Sequence, residues 1–335
     1  MKKKLSFLLV LNLFFYVFSP VPVAEAYISL TAPSAVLLEP ASEKILYSRA
    51  PHRRQQPAST TKLVTALVIL DSLPLDHWVT ISSRVQSVEA SKLYLRSGDR
   101  LRVRDLLKAI LMKSANDAAM AAAIEISGTE RAFGALMTQK ARSFGAKNTR
   151  FVNASGLPAK GQYTTAYDLA LMMRQAMKNE TIVSILRQKG ASIKTYYGYR
   201  YHFKSHNKML LRGERVIGKT GYTRLAKYCF VGLIEEGSRD TIVSVLGSRK
   251  LWLDLRALVV QLTGRSRNFL SYGDRGKDVK DLQAALKKAG YFNGPITGYF
   301  GKQTRAAVLK LQKAARLTRD GVAGPRTKEL LKPYL

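Results

Sequence analysis

Pro57-Ala58-Ser59-Thr60-Thr61-Lys62-Leu63-Val64-Thr65-Ala66-Leu67-Val68-Ile69-Leu70 is the stretch on which the fold turns. From Leu63 onward it is apolar almost all round, which predicts a buried helix starting near Ser59. Residues three apart share a helix face, so Lys62 lies one turn above Ser59. A helix N-terminus offers unpaired N–H groups and a positive dipole end, which suits an oxyanion. Serine is a weak nucleophile until a base takes its proton. Lys62 can be that base only when neutral. Half-neutrality near pH 7 needs its pKa lowered by about 3 units, or roughly 4–5 kcal/mol. Burial and a second cation nearby both push that way. Taken alone, Ser59 reads better as the cap of a core helix, with Lys62 snorkelling to solvent.

Two later triplets change the balance. Ser114-Ala115-Asn116 adds a hydroxyl and an amide between the predicted helices Val103–Met112 and Asp117–Ile126. Lys219-Thr220-Gly221 ends the apolar run Val216-Ile217 and supplies the second cation. Singly, the first is an ordinary helix link and the second a strand end with a glycine kink. The chain also contains decoys. Ser205-His206-Asn207-Lys208 fits both S-x-x-K and S-x-N, and Ser266-Arg267-Asn268 fits S-x-N. Ser205, however, sits in the polar stretch His202–Lys208 with no apolar helix behind it.

Around these motifs the pattern is strand, helices, strands. Ala35–Glu39 and Lys44–Arg49 alternate about Pro40-Ala41-Ser42 as a hairpin. Val103 to about Arg187 is mostly helical, punctuated at Gly156-Leu157-Pro158. Strand patterns return at Val216–Thr220, Lys227–Glu235 and Asp240–Gly247, with Glu236-Gly237-Ser238 as a turn, before a helix Leu251–Leu262. Strands at both ends with a helical insertion predict an α+β domain, an antiparallel sheet beside a helical subdomain, with Ser59, Ser114 and Lys219 converging at their junction. A polar, basic linker spans 263–272. The tail 273–335 predicts a small three-helix module with weak internal repetition. Its turns Tyr291–Gly294 and Asp320–Gly324 are followed by Thr304 and Thr327 opening helices.

Lys2-Lys3-Lys4, the apolar stretch Leu5–Phe18 and Ala24-Glu25-Ala26 read as a secretory signal, residues 1–26, with the mature chain starting at Tyr27. No second long apolar run predicts a transmembrane anchor. The formal charge is +32, and removal of 1–26 leaves +30. So basic a chain would normally suggest nucleic acid. Export argues instead for acidic wall polymer in the periplasm or extracellular cell wall. Cys229 is the only cysteine, so no intrachain disulfide forms, and its apolar strand context predicts a structural thiol. Four histidines without H-E-x-x-H give little basis for a metal site, and no cofactor is expected.

The ordered set S-x-x-K, S-x-N and K-T-G resembles that of penicillin-binding proteins and β-lactamases. From about Ala35 to Leu262 the chain resembles the serine-type D-alanyl-D-alanine carboxypeptidases. Asp105-Leu106-Leu107, Asn116-Asp117-Ala118-Ala119, Phe151-Val152-Asn153 with Gly156-Leu157, and Gly221-Tyr222-Thr223 add to the likeness. Gly273-Asp274-Arg275-Gly276, Leu282-Gln283 and Gly298–Thr304 resemble a peptidoglycan-binding domain. The resemblance implies a β-lactamase-like fold and acyl transfer from peptidoglycan stem peptides, with β-lactams as covalent inhibitors. It assigns attack to Ser59, proton acceptance to Lys62, proton relay to Ser114, and orientation of the peptide to Asn116. Lys219 and Thr220 would bind the terminal carboxylate beside Gly221. The N–H groups of Ser59 and Tyr222 would form the oxyanion hole. Transpeptidase and endopeptidase outcomes remain open. A β-lactamase would need a glutamate four residues before an asparagine, and no Glu-x-x-x-Asn occurs. A non-catalytic wall-binding scaffold is the alternative without chemistry. Two departures stand out: Lys227 replaces a common glycine, and Arg249 is the nearest candidate for the family's carboxylate-binding arginine.

Overall fold

The computed structural model describes residues 28–235, 240–263, 270–317 and 319–335. The signal segment 1–26, the turn Glu236-Gly237-Ser238 and linker residues 264–269 lie outside these.

Strands β1 (Ser34–Leu38) and β2 (Ile45–Arg49) form the expected hairpin. The chain then makes a 3-10 turn, Ala58–Thr61, that runs directly into α1 (Lys62–Ser72). A short hairpin, β3 (Trp78–Thr80) with β4 (Arg100–Arg102), leads to α2 (Val103–Lys108). Helices α3 (Asn116–Ser127), α4 (Glu130–Ser143), α5 (Ala166–Ala176) and α6 (Glu180–Arg187) follow. Polar side chains start three of these. Thr129, Thr165 and Asn179 each accept a hydrogen bond from an N–H three residues on, satisfying a first-turn donor that has no partner within the helix.

A third hairpin, β5 (Gly190–Lys194) with β6 (Arg200–Lys204), was not expected from the sequence. Behind Ser205 only a four-residue helix, α7 (Lys208–Leu211), forms, capped by Asn207, in place of the long apolar helix that follows Ser59. Strands β7 (Val216–Thr223), β8 (Lys227–Ile234) and β9 (Thr241–Ser248) complete one antiparallel sheet of order β2-β1-β9-β8-β7. Helix α8 (Leu251–Thr263) closes the unit.

Period-two alternation explains why this sheet is covered on both sides. Val36 and Leu38 pack with α1, α3 and α5, whereas Ala35 and Leu37 pack with Leu251, Leu255 and Leu258 of α8. Strand β1 is therefore buried at every position, as sheets sandwiched between helices require. This is the α+β arrangement expected from the sequence, and it sets the edge strand β7 against the 3-10 turn that carries Ser59.

The tail has its own core. Helices α9 (Lys277–Lys288), α10 (Lys302–Ala314) and α11 (Pro325–Glu329) enclose Leu270, Val279, Leu286, Phe300 and Val308. Its internal repetition has a structural basis. Gln283 accepts from Gly298 N–H and donates to Thr304, each at 2.9 Å. Gln312 accepts from Gly321 N–H at 2.9 Å and donates to Thr327 at 3.5 Å. Thr304 and Thr327 are thus third residues of their helices, and Gly301 and Gly324 open them; this corrects the expectation that the threonines do so. Between the two parts, the buried Arg256 of α8 donates to Ser271 and pairs with buried Glu214 at 3.4 Å. Among the described residues no helix is long and apolar enough to cross a membrane.

Candidate active site

Three chain segments converge on one amino group. Lys62 Nζ lies 3.0 Å from Ser59 Oγ, 2.6 Å from Asn116 Oδ1 and 2.6 Å from the Ser155 carbonyl oxygen. Lys62 is fully buried, and Ser59 is half-buried beside the cleft. Two of the three contacts are carbonyl oxygens, which only accept. A neutral amine has two donors and one lone pair. It can therefore donate to Asn116 and Ser155 while its lone pair faces the one group able to donate, the Ser59 hydroxyl.

Burial first, and the Lys219 charge second, hold the Lys62 pKa well below that of a free lysine; Glu130 and Asp117 oppose the shift. The sequence anticipated the two lowering causes. Ser155 it did not. The loop 151–157 brings its carbonyl in because Asn153 accepts from Gly156 N–H at 2.8 Å and donates to the Leu157 carbonyl at 2.9 Å. Gln162 holds the same Leu157 carbonyl at 2.8 Å. The signal was present in Phe151-Val152-Asn153 and Gly156-Leu157, whose purpose is to build this loop.

Ser114 and Asn116 arrive through an irregular joint. Helix α2 widens into a π-type turn, Ala109–Lys113, and Ser114 then adopts φ +64°, unusual for a side-chain-bearing residue and common at functional joints. Asn116 is fixed from behind by its amide nitrogen, which donates to the Glu89 carbonyl at 2.8 Å. Asp117 clamps Leu93 and Leu95 N–H groups, holding the segment that includes the cleft residue Ser91.

Strand β7 supplies the opposite wall. Lys219 Nζ lies 3.0 Å from Ser114 Oγ and 2.8 Å from the Thr220 carbonyl, and its burial lowers its pKa to about 7. Gly221 faces the 3-10 turn so closely that a Cβ there would stand 2.8 Å from the Ser59 nitrogen. Behind that turn, a Cβ at Gly156 would stand 1.8 Å from the Ala58 carbonyl oxygen. Both glycines are required by close backbone approach.

All eight sequence-predicted site residues gather here. Ser59, Ser114, Asn116, Thr220, Gly221 and Tyr222 line a cleft of about 580 Å³, and Lys62 and Lys219 lie buried behind it. Arg249 lines the same cleft, as do Tyr228 and Trp252. His206 from the decoy motif lines it too, its pKa lowered to about 4 by desolvation and then by Lys219, Lys113 and Lys62. The decoy Ser205 is absent from that lining. Cys229 is buried, with its thiol pushed up to about 12, so it is inert. Lys227 takes φ +56°, which accounts for the glycine common at its position.

Comparison with known proteins agrees with this geometry. Residues 21–250 match the D-alanyl-D-alanine carboxypeptidase model of peptidase family S11, and residues 275–331 match a peptidoglycan binding domain. The chain is 33% identical over 260 residues to the D-alanyl-D-alanine carboxypeptidase DacF of Bacillus subtilis, covering 74% of this chain and 67% of that one. A solved D-alanyl-D-alanine carboxypeptidase from Mycobacterium tuberculosis superposes with TM-score 0.68 at 28% identity, covering 73% of this chain and 96% of that one. A Streptomyces DD-transpeptidase superposes with TM-score 0.65 at 29% identity, covering 70% and 96%. A family match over most of the chain, with its three motifs folded onto one cleft, means that this chain belongs to the D-alanyl-D-alanine carboxypeptidase family.

Proposed function

We propose that this chain, a serine-type D-alanyl-D-alanine carboxypeptidase by family, is exported and removes the terminal D-Ala from peptidoglycan stem pentapeptides through an ester on Ser59. The observation that carries this reading is the contact set of Lys62, in which Ser59 is the one partner able to give a proton.

In this mechanism Lys62 takes the Ser59 proton as Oγ bonds to the carbonyl carbon of the penultimate D-Ala. Backbone N–H groups of Ser59 and Tyr222 stabilise the oxyanion, each on the order of 10²–10³ in rate. The C–N bond then breaks, and the leaving amine takes a proton through Ser114, which Lys219 contacts. Lys219, Thr220 and Arg249 bind the terminal carboxylate. Water hydrolyses the ester and regenerates Ser59. An amine acceptor in place of water would make the product a crosslink, and the likeness to a DD-transpeptidase favours that as the second reading.

Residues 27–262 form the catalytic domain in this proposal, 263–272 the linker, and 273–335 the wall-binding domain. Mass analysis of the mature chain incubated with a D-Ala-D-Ala pentapeptide tests it. Loss of one D-Ala is expected. A dimeric peptide would favour the transpeptidase, and an unchanged peptide would leave a binding scaffold.

A further inference from the structure

The charge of the cleft has one sign. Lys208, Arg249 and Lys250 line it, and no aspartate or glutamate does. Glu89, one residue before the lining residue Ala90, is exposed and stays outside the wall. None of the three cations has a carboxylate partner among the described residues. Lys219 lies behind the same wall.

The terminal carboxylate of a D-Ala-D-Ala peptide accounts for Lys219 and Arg249 in the proposed reading. Lys208 and Lys250 are then surplus. Both are exposed, so neither is needed to hold the fold. An extended peptide advances about 3.3 Å per residue, so the two residues upstream of D-Ala-D-Ala stay within reach of long lysine side chains once the scissile carbonyl is at Ser59. An upstream carboxylate meets attraction there, and an upstream amine meets repulsion with nothing acidic to receive it.

We infer that Lys208 and Lys250 make the cleft selective for acidic stem peptides, those with a free carboxylate on one of the two residues preceding D-Ala-D-Ala. This rests on the carboxypeptidase reading and names its substrate class. The carboxylate can be the main-chain acid of a γ-linked second residue or the side-chain acid of a diamino third residue. The chemistry is shared, and the peptides separate the sources.

The test uses the mature full-length chain and five soluble pentapeptides. One keeps both upstream carboxylates, one has the second-residue acid amidated, one the third-residue acid amidated, one has both amidated, and one carries lysine third. D-Ala release gives kcat/KM for each. Exposed charge pairs are weak, so amidation is expected to lower kcat/KM about three- to tenfold in at least one single arm, which identifies the source. The ratio should shrink as salt brings the screening length below about 10 Å. Lys208→Gln and Lys250→Gln should move it toward one. Equal kcat/KM across all five peptides, or a preference for amide or lysine, overturns the inference and leaves the carboxypeptidase reading standing. Release from none of them removes both.

Discussion

Asn116 accepts a 2.6 Å hydrogen bond from Lys62 across 54 residues of sequence, and its orientation is not free to reverse. The amide nitrogen is committed to the Glu89 carbonyl, so the oxygen must face the lysine. Replacing that amide with a carboxylate puts a negative charge beside Lys62 at nearly the same volume and gives up the donor to the Glu89 carbonyl. Asn116→Asp is expected to favour protonated Lys62 and raise its depressed pKa. At neutral pH fewer chains then hold a neutral base. β-lactam acylation should slow by about 10²-fold or more, with its acid limb moved to higher pH. Stopped-flow acylation across pH measures this; an unmoved limb would mean that Lys62 is not the base.

Acylation should fall on Ser59 and not on Ser205, although both begin an S-x-x-K motif. Peptide mapping after incubation with a labelled penicillin locates the adduct. Ser59→Ala should carry none.

The buried Lys219 gives a second pH signature, with the opposite sign for activity. Its pKa in the folded chain is lowered to about 7, and carboxylate binding needs it charged. The free-enzyme profile of kcat/KM should therefore fall on the alkaline side through about 7. Lys219→Gln should lose that limb along with most of the activity.

The same shift makes a stability prediction. Between about 7 and the ordinary lysine value of 10.5, the unfolded chain binds more protons at this position than the folded one, so stability rises with pH across that window. Below about 7 the cost of burying the charge is fully present. Lys219→Met is expected to melt above the wild type, by the widest margin below about pH 7 and by little near pH 10. Thermal unfolding at a series of pH values reads this directly; a margin that widens with pH would contradict it.

Truncation after residue 263 should spare hydrolysis of a soluble pentapeptide and weaken sedimentation with insoluble wall. Tethering raises the local concentration of substrate without adding a catalytic contact. The cut removes Ser271 from Arg256 but leaves the buried Glu214–Arg256 pair intact, so the catalytic part should stay folded. A folded truncate without soluble-peptide activity would place the tail in the active site.

Much of this was legible from residues alone. The motif order located all three walls of the cleft, because each motif encodes a local geometry: a helix start, a joint between helices, a strand edge. The hairpin β5–β6 was missed, although Ile193, Tyr201 and Phe203 alternate with polar residues across Tyr197-Gly198. Its apolar side is thin and the tyrosines of its turn, Tyr196, Tyr197 and Tyr199, are exposed, so it lacks the strong signal of a buried strand. The Ser155 carbonyl was missed for a different reason. A backbone oxygen has no letter in the sequence, and only the surrounding Asn153 and Gln162 betray that it is being aimed. The π-type turn before Ser114 was likewise hidden, since Ala109–Lys113 reads as ordinary helix.

Gly156 carries a consequence for resistance. The wall directly behind the nucleophile is backbone pressed on backbone, so no larger residue can enter without displacing Ala58 and with it Ser59. Escape from an inhibitor that mimics the substrate cannot begin there. Selection would have to work at the rim, where Tyr222 and Tyr228 are exposed, their tilted rings 4.5 Å apart between centroids, and where a change of side chain need not move the serine.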